Sequence, residues 1–127
     1  MLRTLTALLC AAALVALAGC GESKQEQARE AVQGYVDAQN DDDFEAVCDL
    51  YSDAFKAQLG VTPEACPAFV QEQSSGAATS FELVGVNVNG DTATADIDAM
   101  SEDGAGPSRL TVTLAREDGE WVITALQ

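Results

Sequence analysis

The fold is decided by the stretch Leu83-Val84-Gly85-Val86-Asn87-Val88-Asn89-Gly90-Asp91-Thr92-Ala93-Thr94-Ala95-Asp96-Ile97-Asp98. Apolar and polar residues alternate on both sides of Asn89-Gly90, which is the pattern of a strand with one buried face. Asn-Gly is the strongest short-range hairpin signal, because both residues tolerate the positive φ of a type I′ turn. A two-residue loop there pairs Val88 with Asp91, Val86 with Ala93 and Val84 with Ala95. Val84, Val86, Val88, Ala93, Ala95 and Ile97 then share one face, and Thr92, Thr94, Asp96 and Asp98 the other.

Downstream, residues 101–107 form a Gly-rich loop, and Leu110, Val112 and Leu114 alternate with Arg109, Thr111 and Thr113. Asp118-Gly119 marks a second hairpin. It brings Trp121, Ile123 and Ala125 to the face of Leu114, Val112 and Leu110, and sets Arg116 opposite Trp121, within stacking reach.

Upstream, the period changes. Ala28, Val32, Tyr35 and Val36 recur at i, i+4, i+7 and i+8, which predicts an amphipathic helix over residues 26–39. Asp42 or Asp43 can cap a second helix carrying Phe44, Val47, Cys48 and Tyr51. That helix continues, or breaks at Ser52 and restarts, through Phe55 and Leu59 to a stop at Gly60. Thr62-Pro63 resembles a cap with Pro at the first helical position, ahead of Cys66, Phe69 and Val70; Pro67 allows a later start instead. Helices first and four antiparallel strands after make an α+β layout, with the helices on one sheet face.

The N-terminus reads as an address. One positive charge, Arg3, precedes an uncharged apolar run over residues 5–18. A membrane span needs about 20 apolar residues, so this run is a secretory signal peptide. It ends in Leu17-Ala18-Gly19-Cys20, which resembles the lipobox of bacterial lipoproteins at all four positions. The resemblance implies a diacylglycerol thioether on Cys20 and cleavage after Gly19; an ordinary signal peptide with a chance Cys is the alternative. The expected division is residues 1–19 as signal peptide, 20–25 as lipidated Cys and short tether, and 26–127 as the domain. The expected location is the outer face of the bacterial cell membrane, with the lipid as anchor. Fully extended, the tether reaches only about 17 Å, so the domain sits close to the membrane.

The chain has 127 residues, a formal charge of −15, four Cys and no His. The length allows one domain. The charge argues against a nucleic-acid partner, and the missing His excludes His-based catalysis and zinc sites. With Cys10 in the signal peptide and Cys20 lipidated, Cys48 and Cys66 form the expected disulfide of an exported protein.

Residues 28–39, running into Asp43-Phe44-Glu45-Ala46-Val47-Cys48-Asp49-Leu50-Tyr51, together with Arg116-Glu117-Asp118-Gly119-Glu120-Trp121-Val122-Ile123, resemble the nuclear transport factor two-like superfamily, also called SnoaL-like or ketosteroid isomerase-like. The resemblance implies a strongly curved sheet and helices enclosing a cone-shaped (cystatin-like) cavity. It is shared by enzymes, binding proteins and dimerisation modules, so it does not choose a function.

The candidate cavity lining is Tyr35 and Tyr51 from the helices and Val84, Val86, Ala95, Ile97, Val112, Leu114 and Trp121 from the sheet. Isomerases of the superfamily use a cavity Asp, and dehydratases lean on His; neither stands among these positions. No catalytic residue and no cofactor are expected beyond the lipid on Cys20. Asp41, Asp42, Asp43 and Glu45, and Asp96, Asp98 and Asp103, lack the alternating spacing of a calcium loop and read as caps and solvated faces. The leading expectation is a non-catalytic interaction module, with an envelope protein or a second copy on the outer sheet face. The alternative is a small apolar ligand or acyl chain in the cone, and an isomerase-type enzyme ranks third.

Overall fold

The computed structural model describes residues 23–74, 80–102 and 106–127. The expected signal peptide, Cys20 and Asp103 lie outside them. Helix α1 spans Lys24–Asn40, and the Ser23 hydroxyl accepts from the Glu26 N–H at 3.2 Å to cap it. Its buried stripe is Ala28, Val32, Tyr35, Val36 and Gln39, one face at helical spacing. Lys24 and Gln25, expected in the tether, are helical and bonded to the domain. Lys24 pairs with Asp91 at 3.0 Å, and Gln25 Nε2 donates to the Val86 carbonyl at 2.8 Å.

Asp43 caps α2 (Phe44–Leu50) by accepting from the Ala46 N–H. The chain breaks at Tyr51-Ser52, and the Ser52 hydroxyl caps α3 (Asp53–Leu59) by accepting from Phe55 at 3.0 Å. Gly60, at φ 75°, closes α3 in the left-handed conformation that glycine adopts without strain. Thr62 accepts from the Ala65 N–H and holds a loose turn ahead of α4, whose regular part is Cys66–Ser74. Pro67 therefore falls in the first turn, where no donor is needed. A disulfide joins Cys48 to Cys66, with Cα atoms 6.0 Å apart, and ties α4 to α2.

The sheet is antiparallel, ordered β1 (Ser80–Asn89), β2 (Thr92–Met100), β3 (Ser108–Glu117), β4 (Glu120–Leu126). The second hairpin turns at Asp118-Gly119, both at positive φ, and pairs Arg116 with Trp121 as expected. The first hairpin differs. Its loop is Gly90-Asp91, with positive φ at Gly90 and not at Asp91, the pattern of a type II′ turn. Val88 thus pairs with Ala93 and Val86 with Ala95. The slip is two residues, which leaves each side chain on its expected face.

Two bulges change faces, and they are the main correction to the sequence reading. In β1, Leu83 pairs with Ile97 and Gly85 with Asp96, leaving Val84 as the extra residue. Val84 is 49% exposed and belongs to neither core nor cavity, while Phe81 and Leu83 turn inward. In β4, Thr113 pairs with Ala125 and Leu114 with Ile123, leaving Thr124 extra. Ala125 thereby leaves the core face, and Leu126, paired with Val112, takes it. Bulges bend the strand and increase its twist, so a pair of them, one on each outer strand, curves the sheet around the helices.

The packed core lies where α1 crosses the sheet. Val32, Tyr35 and Val36 meet Val86, Ala95, Ile97, Val112, Leu114 and Ile123 there. Among the described residues no helix is long and apolar enough to cross a membrane.

Candidate binding cavity

A cavity of about 600 Å³ lies at the end of the sheet away from the two hairpin turns. Tyr35 and Gln39 of α1 form its floor, with Tyr51 beside them. Phe55 of α3 and Phe69 and Val70 of α4 form one wall; Phe81, Leu110 and Leu126 of the sheet form the other. Phe81 and Leu126 reach it because of the two bulges; with unbroken alternation both would point outward.

Of the lining expected from sequence, Tyr35 and Tyr51 stand in the cavity. Val86, Ala95, Ile97, Val112, Leu114 and Trp121 are buried in the packed half of the sheet and do not line it. The reason is the position of α1, whose Val32, Tyr35 and Val36 pack with these residues in one buried core. Trp121 lies near the hairpin end, where its Nε1 and the Arg116 Nε are buried without hydrogen-bond partners among the described residues.

The floor is a chain of three polar side chains. Gln39 Nε2 donates to the Tyr35 hydroxyl oxygen at 3.1 Å. The Tyr51 hydroxyl neighbours that of Tyr35, and no more than one of their two hydrogens can lie between the two oxygens. Burial dominates at both residues and raises both hydroxyls above the ordinary tyrosine value of 10.0. Tyr51 also meets Phe55 edge-on, with ring centroids 4.9 Å apart. Gln39 Oε1 is buried and has no hydrogen-bond partner among the described residues.

Charge stays outside. No Asp or Glu is among the described lining residues. Arg109 reaches the rim, but its side chain is half exposed and its Nε donates to Asp98 at 2.7 Å on the outer sheet face. Asp98 holds the guanidinium above its ordinary value, with Asp96 assisting from 3.9 Å. The other acidic residues weighed as metal ligands do local work: Asp43 caps α2, and Asp42 sits in the turn at φ 55°.

Sequence reasoning missed Gln39. Its signal was present, since Val32, Tyr35, Val36 and Gln39 fall at i, i+3, i+4 and i+7, which puts an amide on the buried stripe.

The family model of the SnoaL-like domain matches residues 28–127. The chain belongs to the SnoaL-like family. Solved structures agree on the fold. An NTF-2 like protein of unknown function from Shewanella oneidensis MR-1 aligns with a TM-score of 0.58 at 14% identity, covering 80% of this SnoaL-like chain and 94% of that one. An NTF-2 like protein of unknown function from Burkholderia xenovorans LB400 gives 0.56 at 18% identity, covering 78% and 84%. A de novo designed protein with a curved β-sheet gives 0.53 at 15% identity, covering 80% and 94%. At these identities the likeness concerns the SnoaL-like fold alone. Among curated proteins none matches the chain significantly.

Proposed function

We propose that this SnoaL-like domain binds a small, largely apolar molecule without transforming it, and that a lipid on Cys20 holds it at the outer face of the bacterial cell membrane. The observation that carries the binding reading is the unpartnered Gln39 Oε1, in a residue only 8% exposed, at the floor of the cavity. A buried acceptor left without a donor costs about 1–3 kcal/mol. A bound molecule that supplies the donor removes that cost. A volume of about 600 Å³ is in the range of small-molecule sites, and walls of Phe, Val and Leu suit an apolar body.

The non-catalytic part is supported by the chemistry of the lining. The chain has no His, no carboxylate is among the described lining residues, and burial keeps both tyrosines protonated near neutral pH. General acid–base work needs a group poised near the operating pH. Residues 1–20 support the anchor: a charged start, an apolar run and the box at Cys20. An envelope protein or a second copy on the outer sheet face, ranked first from sequence, has no comparable observation behind it. The cavity reverses that order.

Native mass spectrometry of residues 21–127, which contain every described helix and strand, tests the binding reading. The expected result is an excess mass that leaves on mild activation, or uptake of added apolar compounds. A bare protein that takes up none of them refutes it. Cys20→Ser is expected to release the full chain from the membrane fraction and abolish acyl labelling; retention in that fraction refutes the anchor.

A further inference from the structure

We propose that the molecule ends, at the floor of the cavity, in a neutral hydroxyl group that donates to Gln39 and accepts from the Tyr35–Tyr51 pair. The inference rests on the binding reading and deepens it to a ligand class: aliphatic or alicyclic alcohols, as opposed to acids, amines, ethers or hydrocarbons. A phenol offers one donor and two acceptor sites. The Tyr35 oxygen accepts from Gln39 Nε2 at 3.1 Å. Of the Tyr35 and Tyr51 hydrogens no more than one can lie between the two oxygens, so the pair still offers one. What Gln39 still offers is its carbonyl oxygen, buried and unpartnered. One donor, on the tyrosine pair, and one acceptor, on Gln39, therefore line one cavity.

The classes separate on that pair. A carboxylate is acceptor-only, so it would set its lone pairs against the Gln39 oxygen. The only cation lining the described cavity, Arg109, sits at the rim and is held by Asp98. An ammonium would satisfy Gln39 but bury an unpaired charge against apolar walls and leave the phenolic hydrogen unused. An ether accepts and cannot donate. A hydroxyl does both, through one oxygen.

The test uses residues 21–127 and four probes of equal chain length: decanol, its methyl ether, decanoate and decylamine. Binding is measured by titration calorimetry. Decanol is expected to bind about tenfold tighter than the ether, the net worth of one hydrogen bond, and tighter than either charged probe. Gln39→Leu is expected to lower decanol to the level of the ether. Tyr35→Phe, which keeps the ring and removes the hydroxyl, is expected to narrow the same gap, and circular dichroism establishes that each variant is folded. Equal binding of decanol and ether by the unmodified protein overturns the hydroxyl assignment while the binding reading stands. Tighter binding of decanoate or decylamine overturns it likewise. Failure of all four probes to bind removes the binding reading itself.

Discussion

Reduction of Cys48–Cys66 is expected to destabilise the domain by a definite amount and in a definite place. The bond closes a loop of sequence separation 18. In the chain-entropy model a loop of that length restricts the unfolded ensemble by about 3 kcal/mol. With a urea m value of roughly 1.5 kcal/mol per molar for a domain of this size, the unfolding midpoint falls by about 2 M. The assay is urea denaturation of residues 21–127 with and without reductant, followed by Trp121 fluorescence and far-ultraviolet circular dichroism. Cys48→Ala with Cys66→Ala should reproduce the shift, less a small packing loss, since both sulfurs are buried in the core. The loss also has a location. Helix α4 packs chiefly on α2, so the bond is its main attachment. Amide exchange should quicken in Cys66–Ser74 well before it quickens in β2 and β3. A midpoint within about 0.3 M of the oxidised protein, at unchanged m, would refute the loop argument. Uniform quickening across helix and sheet would refute the assignment to α4.

Three further outcomes are expected. Asn40→Ala removes both bonds by which its amide holds Phe81, from Nδ2 to the carbonyl at 3.0 Å and from the Phe81 N–H to Oδ1 at 2.8 Å; it should cost about 2 kcal/mol in urea denaturation, and Asn40→Asp, which keeps only the acceptor, about half of that. Ile123→Ala deletes a fully buried side chain at the centre of β4 and should cost about 3–4 kcal/mol; a loss below about 1 kcal/mol would mean that the site collapses around the cavity. Both tyrosines of the chain are at the cavity floor, and burial raises both above their value of 10.0, so the folded state holds its phenolic protons longer than the unfolded state does. Stability should therefore be unaffected by these groups below about pH 10 and fall as pH rises beyond it, and ultraviolet titration should show both tyrosines ionising only as the protein unfolds.

Much of the architecture was legible because each level of the sequence agreed. The change from 3.6-residue to two-residue periodicity separates α1–α4 from the strands. Gly60, Asp43 and Ser52 mark helix ends by their own chemistry, and Asp118-Gly119 fits its turn. The cavity was not legible, and the reason lies in two residues. A bulge adds one residue without altering composition, yet it inverts the side-chain alternation of everything beyond it. Val84 and Thr124 are those residues, so a strict alternation puts Val84 inside and leaves out Phe81 and Leu126. Gly85, beside the first bulge, was the only local cue. The first hairpin slid for a smaller reason: Gly90 can serve as either central residue of a two-residue turn, and Asn89 pairs with Thr92 once it serves as the first. Gln39 was overlooked because polar residues near a helix end usually face water.

The amides of α1 have a consequence for how this protein can meet others. β1 and β4 are the outer strands, whose unpaired backbone groups would ordinarily invite another chain to add itself to the sheet. On β1, the Val86 carbonyl is taken by Gln25 and both Phe81 groups by Asn40. On β4, the Ile123 carbonyl is taken by the Ser52 N–H at 2.9 Å, where the chain at Tyr51 runs alongside as a parallel bridge. Both margins are thus held at these points from within the same molecule. Strand addition, one route by which exposed sheets recruit peptides or polymerise, is blocked there. Crowding many copies together should not stitch their sheets into one through these groups.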